Sequence, residues 1–317
     1  MLAATLLICS MAFAESKTLA LQICLDREAC SCSTIDGVWG RKSERALAEY
    51  ARRKAPGAAV PSTPDAAYDR FFASSGNLFR IETVTAADLA ALVKVPESPA
   101  GKSALAYLGY ESIKEMFAER GHLSERALER MNPGIDWEHI KPGLKLVIPD
   151  FPTMESYLRS WSGQRPAKMP VADRVEVSLS HFEIRVFGKA NECLAIFPCS
   201  IARDKAKLPP HGNLKIITAI ANPNYTYTPD YTPPGQRPRR YVLPEGPNSP
   251  IGVAWLGLNL PGYGIHGTPR PATIGNAESH GCFRLANWNA ARLYAMCPVG
   301  TSVIILHGLQ IPNSSHR

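Results

Sequence analysis

The segment from residue 264 to residue 287 places two histidines and one cysteine close together in the sequence. It contains Gly-Ile-His266-Gly-Thr, a short spacer, and then Ser-His280-Gly-Cys282-Phe-Arg. A cysteine attacks a carbonyl as its thiolate, so it needs a base or a helix N-terminus nearby to lower its pKa. Either histidine is chemically able to be that base. The segment therefore predicts acyl transfer with Cys282 as the nucleophile.

The residues around Cys282 predict further catalytic aids. Apolar side chains from Leu285 to Met296 have helical spacing, which predicts a helix that begins close to Cys282. Gly281 allows a sharp turn, so the backbone amides of Gly281 and Cys282 are expected to point together at a developing oxyanion. Arg284 is expected to bind a substrate carboxylate.

This order of residues resembles the catalytic signature of L,D-transpeptidases of the YkuD type. The resemblance extends from Arg174 to Leu306 and includes Leu-Pro-Glu-Gly-Pro-Asn-Ser-Pro-Ile-Gly at 243–252 and a closing strand at 299–305. It implies that Cys282 forms an acyl-enzyme with a peptidoglycan stem peptide. An acceptor amine then resolves the thioester, which makes a 3-3 cross-link.

The resemblance also implies a role for the neighbouring residues. His266 would be the general base, with its ring oriented by the backbone carbonyl of Gly267, and His280 would order the cysteine loop. The predicted substrate-binding residues are Arg284, Ser279, Gly281 and Thr268. No cofactor or metal is implied, because a thiolate, a histidine base and backbone donors are sufficient for acyl transfer.

Other interpretations of the segment stay open. His266, His280 and Cys282 are also a possible zinc ligand set, and Cys282 could instead form a disulfide with Cys297 or Cys199. Transfer to water would make an L,D-carboxypeptidase, and transfer to a lysine would make an enzyme that tethers proteins to the wall. A non-catalytic peptidoglycan-binding protein is the alternative of another class.

A mostly-β domain is predicted around this segment, from residue 173 to residue 308. Residues 175–180, 184–187 and 193–201 alternate apolar and polar side chains, and a Gly-Lys-Ala-Asn turn lies between the last two. Successive hairpins indicate a sandwich or a barrel, and the resemblance implies a YkuD-type β-sandwich. The proline- and tyrosine-rich stretch from Ala221 to Pro250 predicts a lid or a binding wall.

Two smaller modules are predicted before this domain. Residues 15–55 form a helix, an Ile-Asp-Gly-Val-Trp-Gly turn and a second helix, and they resemble the small α-helical peptidoglycan-binding domain. Residues 78–150 predict strand, helix, helix and strand, and they resemble an α+β LysM module with a long insertion before Tyr110. A LysM module binds glycans that contain N-acetylglucosamine. Linkers are predicted at 56–67 and 151–172, and the modules would raise the local substrate concentration by tethering.

Residues 1–14 predict a signal peptide and export to the periplasm or cell envelope. The run is apolar and ends in Ala12-Phe13-Ala14, a small-x-small processing pattern. A lipid anchor at Cys9 is the alternative, although Ile8 occupies a position where that signal prefers a small residue. No later segment has the roughly 18 apolar residues that a membrane helix needs.

Charge and cysteine number fit an exported wall protein. The net charge of +7 comes from scattered basic residues, which favours peptidoglycan over nucleic acid as partner. Seven cysteines remain after the signal peptide, and an odd number predicts at least one free thiol. Cys24 and Cys32 are candidates for a disulfide that staples the Asp-Gly turn to the first helix.

Overall fold

The computed structural model describes residues 16–162, 166, 168–210, 212–229, 239–279 and 281–308. The predicted signal peptide, residues 1–14, and His280 therefore lie outside the described residues. The helices are α1 Lys17–Arg27, α2 Arg41–Lys54, α3 Pro64–Phe71, α4 Ala86–Ala90, α5 Pro99–Ser103, α6 Ile113–Arg120, α7 Glu125–Met131, α8 Met154–Leu158 and α9 Asn287–Met296. None of these described helices has both the length and the hydropathy that a membrane crossing requires.

The strands fall into two regions of the chain. Their bounds are β1 Phe79–Thr83, β2 Lys145–Pro149, β3 Arg174–Ser178, β4 Glu183–Phe187, β5 Cys193–Pro198, β6 Ile201–Ala202, β7 Gly212–Ala221, β8 Tyr225–Tyr227, β9 Tyr241–Leu243, β10 Ala254–Leu258, β11 Gly264–His266, β12 Ala277–Ser279, β13 Phe283–Arg284 and β14 Ser302–Leu306. We call residues 16–151 the N-terminal lobe and residues 154–308 the C-terminal lobe.

Helix α1 is the centre of the N-terminal lobe, because its residues from Leu19 to Asp26 are all buried. A helix buried on every side must satisfy its polar side chains internally. Gln22 does so with the Asp-Gly turn: its Nε2 donates to Asp36 Oδ1 at 3.2 Å and to Ser43 Oγ at 3.1 Å. Its Oε1 accepts from the backbone N–H of Gly37 at 2.8 Å. The turn is therefore fixed to α1 by one buried amide.

Strand, helix, helix and strand follow in the order that the sequence predicts for residues 78–150. Strands β1 and β2 pair antiparallel, with Ile81 opposite Val147. Ser112 and Ser124 cap α6 and α7, since each Oγ accepts from a backbone N–H three residues later. The long insertion forms α4 and α5. That this unit binds glycan, as a LysM module does, stays a prediction.

The two predicted N-terminal modules share one hydrophobic core. Buried residues of that core run from Leu19 in α1 to Ile148 in β2. The stretch predicted as a linker contributes to it, because α3 begins at Pro64 and packs against α1. Residues 16–151 are thus packed as one lobe, and their division into two modules stays a prediction.

One curled sheet, not two stacked sheets, forms the C-terminal lobe. Eight strands follow the order β13-β11-β10-β7-β14-β3-β4-β5. The two edges of this sheet meet, because Ser200, just after β5, bridges Arg284 in β13 with N···O distances of 2.9 and 3.0 Å. A sandwich needs two sheets packed face to face. The mostly-β class is confirmed, whereas the β-sandwich prediction was wrong.

Helix α9 packs against this sheet and against the N-terminal lobe. Every residue of α9 is buried, so its polar side chains need partners from the N-terminal lobe. Asn289 Nδ2 donates to Ser31 Oγ at 2.9 Å, and Arg292 donates to the backbone oxygen of Asp26 at 2.6 Å. The predicted linker at 151–172 also packs here, because α8 lies against α9.

A buried ionic cluster lies at the centre of this interface. His122 Nδ1 is 3.1 Å from Asp26 Oδ1, and its ring stacks on Phe151 and Trp288 with centroid distances of 4.0 and 5.0 Å. Burial lowers the pKa of His122, which favours the neutral ring. Arg292, 3.6 Å from Asp26 Oδ1, therefore supplies the charge that balances the Asp26 carboxylate. Burial opposes the charge on Asp26, but these partners lower its pKa. Replacing either partner of this pair would leave an uncompensated charge buried between the lobes.

All seven cysteines within the described residues are free thiols. Cys24 and Cys32 are both buried, and Cys24 Sγ lies 3.4 Å from Ser75 Oγ, so the predicted staple between them was wrong. Cys199 and Cys297 are also buried, and neither forms a disulfide with Cys282.

Candidate active site

Strand register collects the candidate residues on one face of the sheet. Trp255 in β10 is paired with His266 in β11, and His266 is paired with Arg284 in β13. Side chains of paired residues lie on the same face, and alternate residues share that face. Cys282, two residues before Arg284, is therefore brought to the side of Gly264. Leu256, Ile265 and Phe283 fill the opposite face and are fully or almost fully buried.

His266 is held in one tautomer by its own strand end. Its Nδ1 lies 2.6 Å from the backbone oxygen of Gly267, and a carbonyl only accepts hydrogen bonds, so Nδ1 carries the proton. The lone pair is therefore on Nε2. Burial lowers the pKa of His266 to about 4, which keeps the ring neutral at pH 7. A neutral imidazole with a free Nε2 lone pair is a general base.

Trp255 covers the imidazole of His266, with ring centroids 5.7 Å apart at 25°. The indole extends over Gly264, where an added Cβ would lie 2.5 Å from the ring atom Cη2. Glycine at this position is therefore required by the indole. The sequence analysis assigned no role to Trp255. The available signal was a large aromatic residue two positions before Gly257, in a strand that pairs with the strand of Gly264.

Cys282 is the one described cysteine that is not buried. Its Sγ donates to the backbone oxygen of Gly262 at 3.4 Å. Burial of the sulfur raises its pKa, and a backbone hydrogen bond from Gly264 and the charge of Arg284 only partly oppose this. The thiol form is thus dominant at neutral pH, and activation needs a base.

The predicted helix N-terminus next to Cys282 is absent. Strand β13 intervenes, and the backbone N–H of Leu285 donates to the oxygen of His266 at 2.8 Å, which extends the strand pairing. Helix α9 begins only at Asn287. The expectation that a helix dipole lowers the pKa of Cys282 was therefore wrong.

Ser279 fixes the cysteine loop through two hydrogen bonds. Its Oγ donates to the backbone oxygen of Cys282 at 2.6 Å and accepts from the backbone N–H of Gly281 at 3.3 Å. Gly281 has φ +154, a backbone conformation that L side chains rarely adopt. Because the Gly281 amide donates to Ser279, the predicted pair of oxyanion donors is reduced to the Cys282 amide.

Arg284 faces a cleft of 1190 Å³ between the two lobes. Its Nε is buried and has no hydrogen-bond partner among the described residues. Burial and the nearby charge of Arg270 lower the pKa of Arg284. Thr268 lines the same cleft, and the opposite wall includes Glu97 and Glu111 of the N-terminal lobe. The lining of this cleft thus carries two guanidinium groups, and the binding of a substrate carboxylate by Arg284 stays a prediction.

His280 lies outside the described residues, so its predicted role in ordering the cysteine loop stays a prediction. Within the described residues, no group of three or more His, Cys, Asp or Glu side chains is arranged to hold a metal ion. The proline- and tyrosine-rich stretch is described in part, and it forms the β8–β9 hairpin with Tyr225 opposite Leu243.

Sequence comparison assigns the C-terminal lobe to a known type of domain. Residues 172–305 match the model of the YkuD family, described as the L,D-transpeptidase catalytic domain. The putative L,D-transpeptidase YkuD of Bacillus licheniformis is 26% identical over 191 residues, which are 60% of this chain and 92% of that protein.

Other relatives match over a smaller part of their length. The putative L,D-transpeptidase in the ATP synthase subunits region of Fuscovulum blasticum is 35% identical over 113 residues, which are 35% of this chain and 57% of that protein. A solved L,D-transpeptidase from Mycobacterium smegmatis is 18% identical with a TM-score of 0.33, over 42% of this chain and 58% of that one. The chain thus spans little more than half the length of these two proteins. The family match lies in the C-terminal lobe.

Proposed function

We propose that the chain is an exported L,D-transpeptidase that acts on peptidoglycan through an acyl-enzyme on Cys282. The observation that supports this is the pairing of His266 with Arg284 across β11 and β13, because Cys282 directly precedes β13 and alternation would give it the same face as Arg284. The hydrogen bond from His266 Nδ1 to Gly267 leaves Nε2 as the base. The family match of residues 172–305 supports the reaction class.

The reaction has two balanced steps. His266 Nε2 takes the proton of the Cys282 thiol while sulfur bonds to the carbonyl carbon at the L,D bond of a stem peptide. The C–N bond breaks, and the imidazolium gives its proton to the leaving amine of the terminal D-alanine. In the second step the nitrogen of an acceptor amine bonds to the thioester carbonyl carbon while His266 takes the amine proton. The C–S bond then breaks, and the imidazolium gives its proton to the Cys282 sulfur, which restores the thiol.

The cleft carries charged side chains of both signs. Arg284 and Arg270 line it and would hold a carboxylate. Glu97 and Glu111 line the part contributed by the N-terminal lobe, where they favour a cationic group. These charges would suit a stem peptide, which carries both a carboxylate and an amine.

Wall binding by the N-terminal lobe is a further part of the proposal. The Asp-Gly turn lines a cavity of 690 Å³ between the lobes, together with Trp39, Arg41 and Arg45. The aromatic ring offers an apolar contact surface, and the guanidinium groups suit the carboxylates of a wall polymer. Titration with soluble glycan fragments, comparing the Trp39→Ala variant with the unaltered chain, tests this part separately from catalysis.

Purified disaccharide tetrapeptide is the substrate that distinguishes the reaction types. The chain from residue 15, its Cys282→Ala variant and a Cys24→Ser control are incubated with it, and products are analysed by mass spectrometry. Cys24→Ser is matched because serine keeps the hydrogen bond to Ser75. Cross-linked dimer that requires Cys282 supports transpeptidation, whereas tripeptide alone indicates a carboxypeptidase. Binding without any turnover indicates a non-catalytic wall-binding protein and would overturn the proposal.

A further inference from the structure

The Asn287 side chain connects the N-terminal lobe to the backbone next to His266. Asn287 is the first residue of α9 and is fully buried. Its Nδ2 donates to Glu119 Oε1 at 2.9 Å and to the backbone oxygen of Pro247 at 3.1 Å. Its Oδ1 accepts from the backbone N–H of Val253 at 3.3 Å. Both N–H donors and the oxygen of this amide are thus engaged, and its orientation depends on Glu119 together with two backbone groups.

The Asn287 amide is packed directly against Gly267. A Cβ at Gly267 or at Gly252 would overlap Asn287 Oδ1, so both positions require glycine. The backbone oxygen of Gly267 is the acceptor for His266 Nδ1. A shift of the amide therefore moves the carbonyl that sets the tautomer and the direction of the imidazole.

Glu119 is the part of this arrangement that belongs to the N-terminal lobe. It lies in the last turn of α6 and is 5% exposed. The Tyr110 hydroxyl also donates to its Oε1, at 3.4 Å. Burial raises the pKa of Glu119 to about 8, and the charges of Glu115 and Glu155 add to that effect. Burying a carboxyl costs free energy unless it is hydrogen-bonded, and the donors that Glu119 has are Asn287 and Tyr110.

We infer that Glu119 is a positioning residue for catalysis, which acts from the N-terminal lobe through Asn287 and Gly267 on the orientation of His266. This inference rests on the proposed function and deepens it, because it makes the N-terminal lobe part of the catalytic apparatus. Removing the carboxyl leaves one Asn287 N–H without its partner in a buried place and frees the amide to move.

Three variants of the full chain separate positioning from stability. Glu119→Ala removes the acceptor, and Glu119→Gln keeps an oxygen for Asn287. Glu49→Gln is the matched control, because Glu49 is also a buried carboxylate between the lobes, with Arg52 at 2.6 Å and Arg185 of β4 at 3.5 Å. Glu49 is not among the groups that contact Asn287 or Gly267.

Each variant is measured for thermal stability, for the pH profile of Cys282 alkylation by iodoacetamide, and for the ¹⁵N shifts of the His266 ring. The ring signals are assigned with His266→Gln. We expect Glu119→Ala to shift the ring signals and to slow acylation by a carbapenem about tenfold, while the alkylation profile stays unchanged because alkylation follows the free thiolate. Glu119→Gln restores both, and Glu49→Gln lowers the melting temperature alone.

Two outcomes overturn the inference. Glu119→Ala that loses stability but keeps the wild-type acylation rate and ring signals would show a structural role only. Equal changes in Glu119→Ala and Glu49→Gln would show that lobe docking in general, and not Glu119, positions His266. Failure of the unaltered chain to react with a carbapenem would refute the proposed function, while the ring signals would still test the positioning.

Discussion

The charge states of His266 and Cys282 lead to a pH dependence that differs between two reactions of the same thiol. Burial raises the pKa of Cys282 above its ordinary 9.0, so less than about one thiol in a hundred is ionised at pH 7. Burial lowers the pKa of His266 to about 4. At neutral pH the resting pair is thiol and neutral imidazole, which is the pair that general-base catalysis requires.

Alkylation by iodoacetamide follows the free thiolate, so its rate should rise about tenfold per pH unit between pH 6 and 8.5. Acylation by a carbapenem uses His266 as base. Its rate should be level over that range and should fall only as the pH drops through the pKa of His266, about 4. Replacing His266 by alanine should slow acylation by about 10² to 10⁴ and leave alkylation above pH 9 nearly unchanged.

Both rates are measured by intact mass, with Cys282→Ala as the blank for labelling elsewhere. The six other described cysteines are buried, so Cys282 should be the first to react. A level alkylation rate from pH 6 to 8.5 would show a thiolate and imidazolium pair formed in advance, and the charge states deduced from burial would then be wrong.

Three stability predictions follow from contacts near and between the lobes. Ser279→Ala removes both hydrogen bonds of the cysteine loop and should lower the free energy of unfolding by about 1–3 kcal/mol. The difference is measured by urea unfolding, with Ser103→Ala in exposed α5 as the control. Gly264→Ala places a Cβ 2.5 Å from the Trp255 ring and should lower the free energy of unfolding by about 1–3 kcal/mol. Gly76 has open space around it, so Gly76→Ala should change the free energy of unfolding little. Asp26→Asn breaks the buried cluster with Arg292 and should cost about 3–5 kcal/mol, whereas Asp69→Asn at the exposed pair with Lys17 should leave the melting temperature almost unchanged.

Local patterns predicted the part of the fold that depends on neighbouring residues. The alternation at 175–180 and 184–187 became β3 and β4, because side-chain period and hairpin turns are local signals. The helix after Cys282 was predicted two residues too early. Leu285 has helical spacing with the residues after it, but its N–H pairs with His266, a contact that only the folded sheet reveals.

Long-range packing could not be predicted from the same patterns. The shared core of the N-terminal lobe depends on α3 folding back onto α1, although its sequence reads as a proline-rich linker. Glu119 and Asn287 are 168 positions apart in the chain. The available signal for Glu119 was its place in the sequence directly after Phe117 and Ala118, which are buried. A carboxyl rarely occupies the buried face of a helix, so such a residue indicates a special role.

The most direct test of the account is the intact mass of the chain from residue 15 after incubation with a carbapenem under reducing conditions. We predict one covalent adduct on the unaltered protein and none on Cys282→Ala, with Cys24→Ser behaving like the unaltered protein. An adduct that persists in Cys282→Ala, or no adduct on a folded, reduced wild-type chain, would contradict Cys282 as the nucleophile.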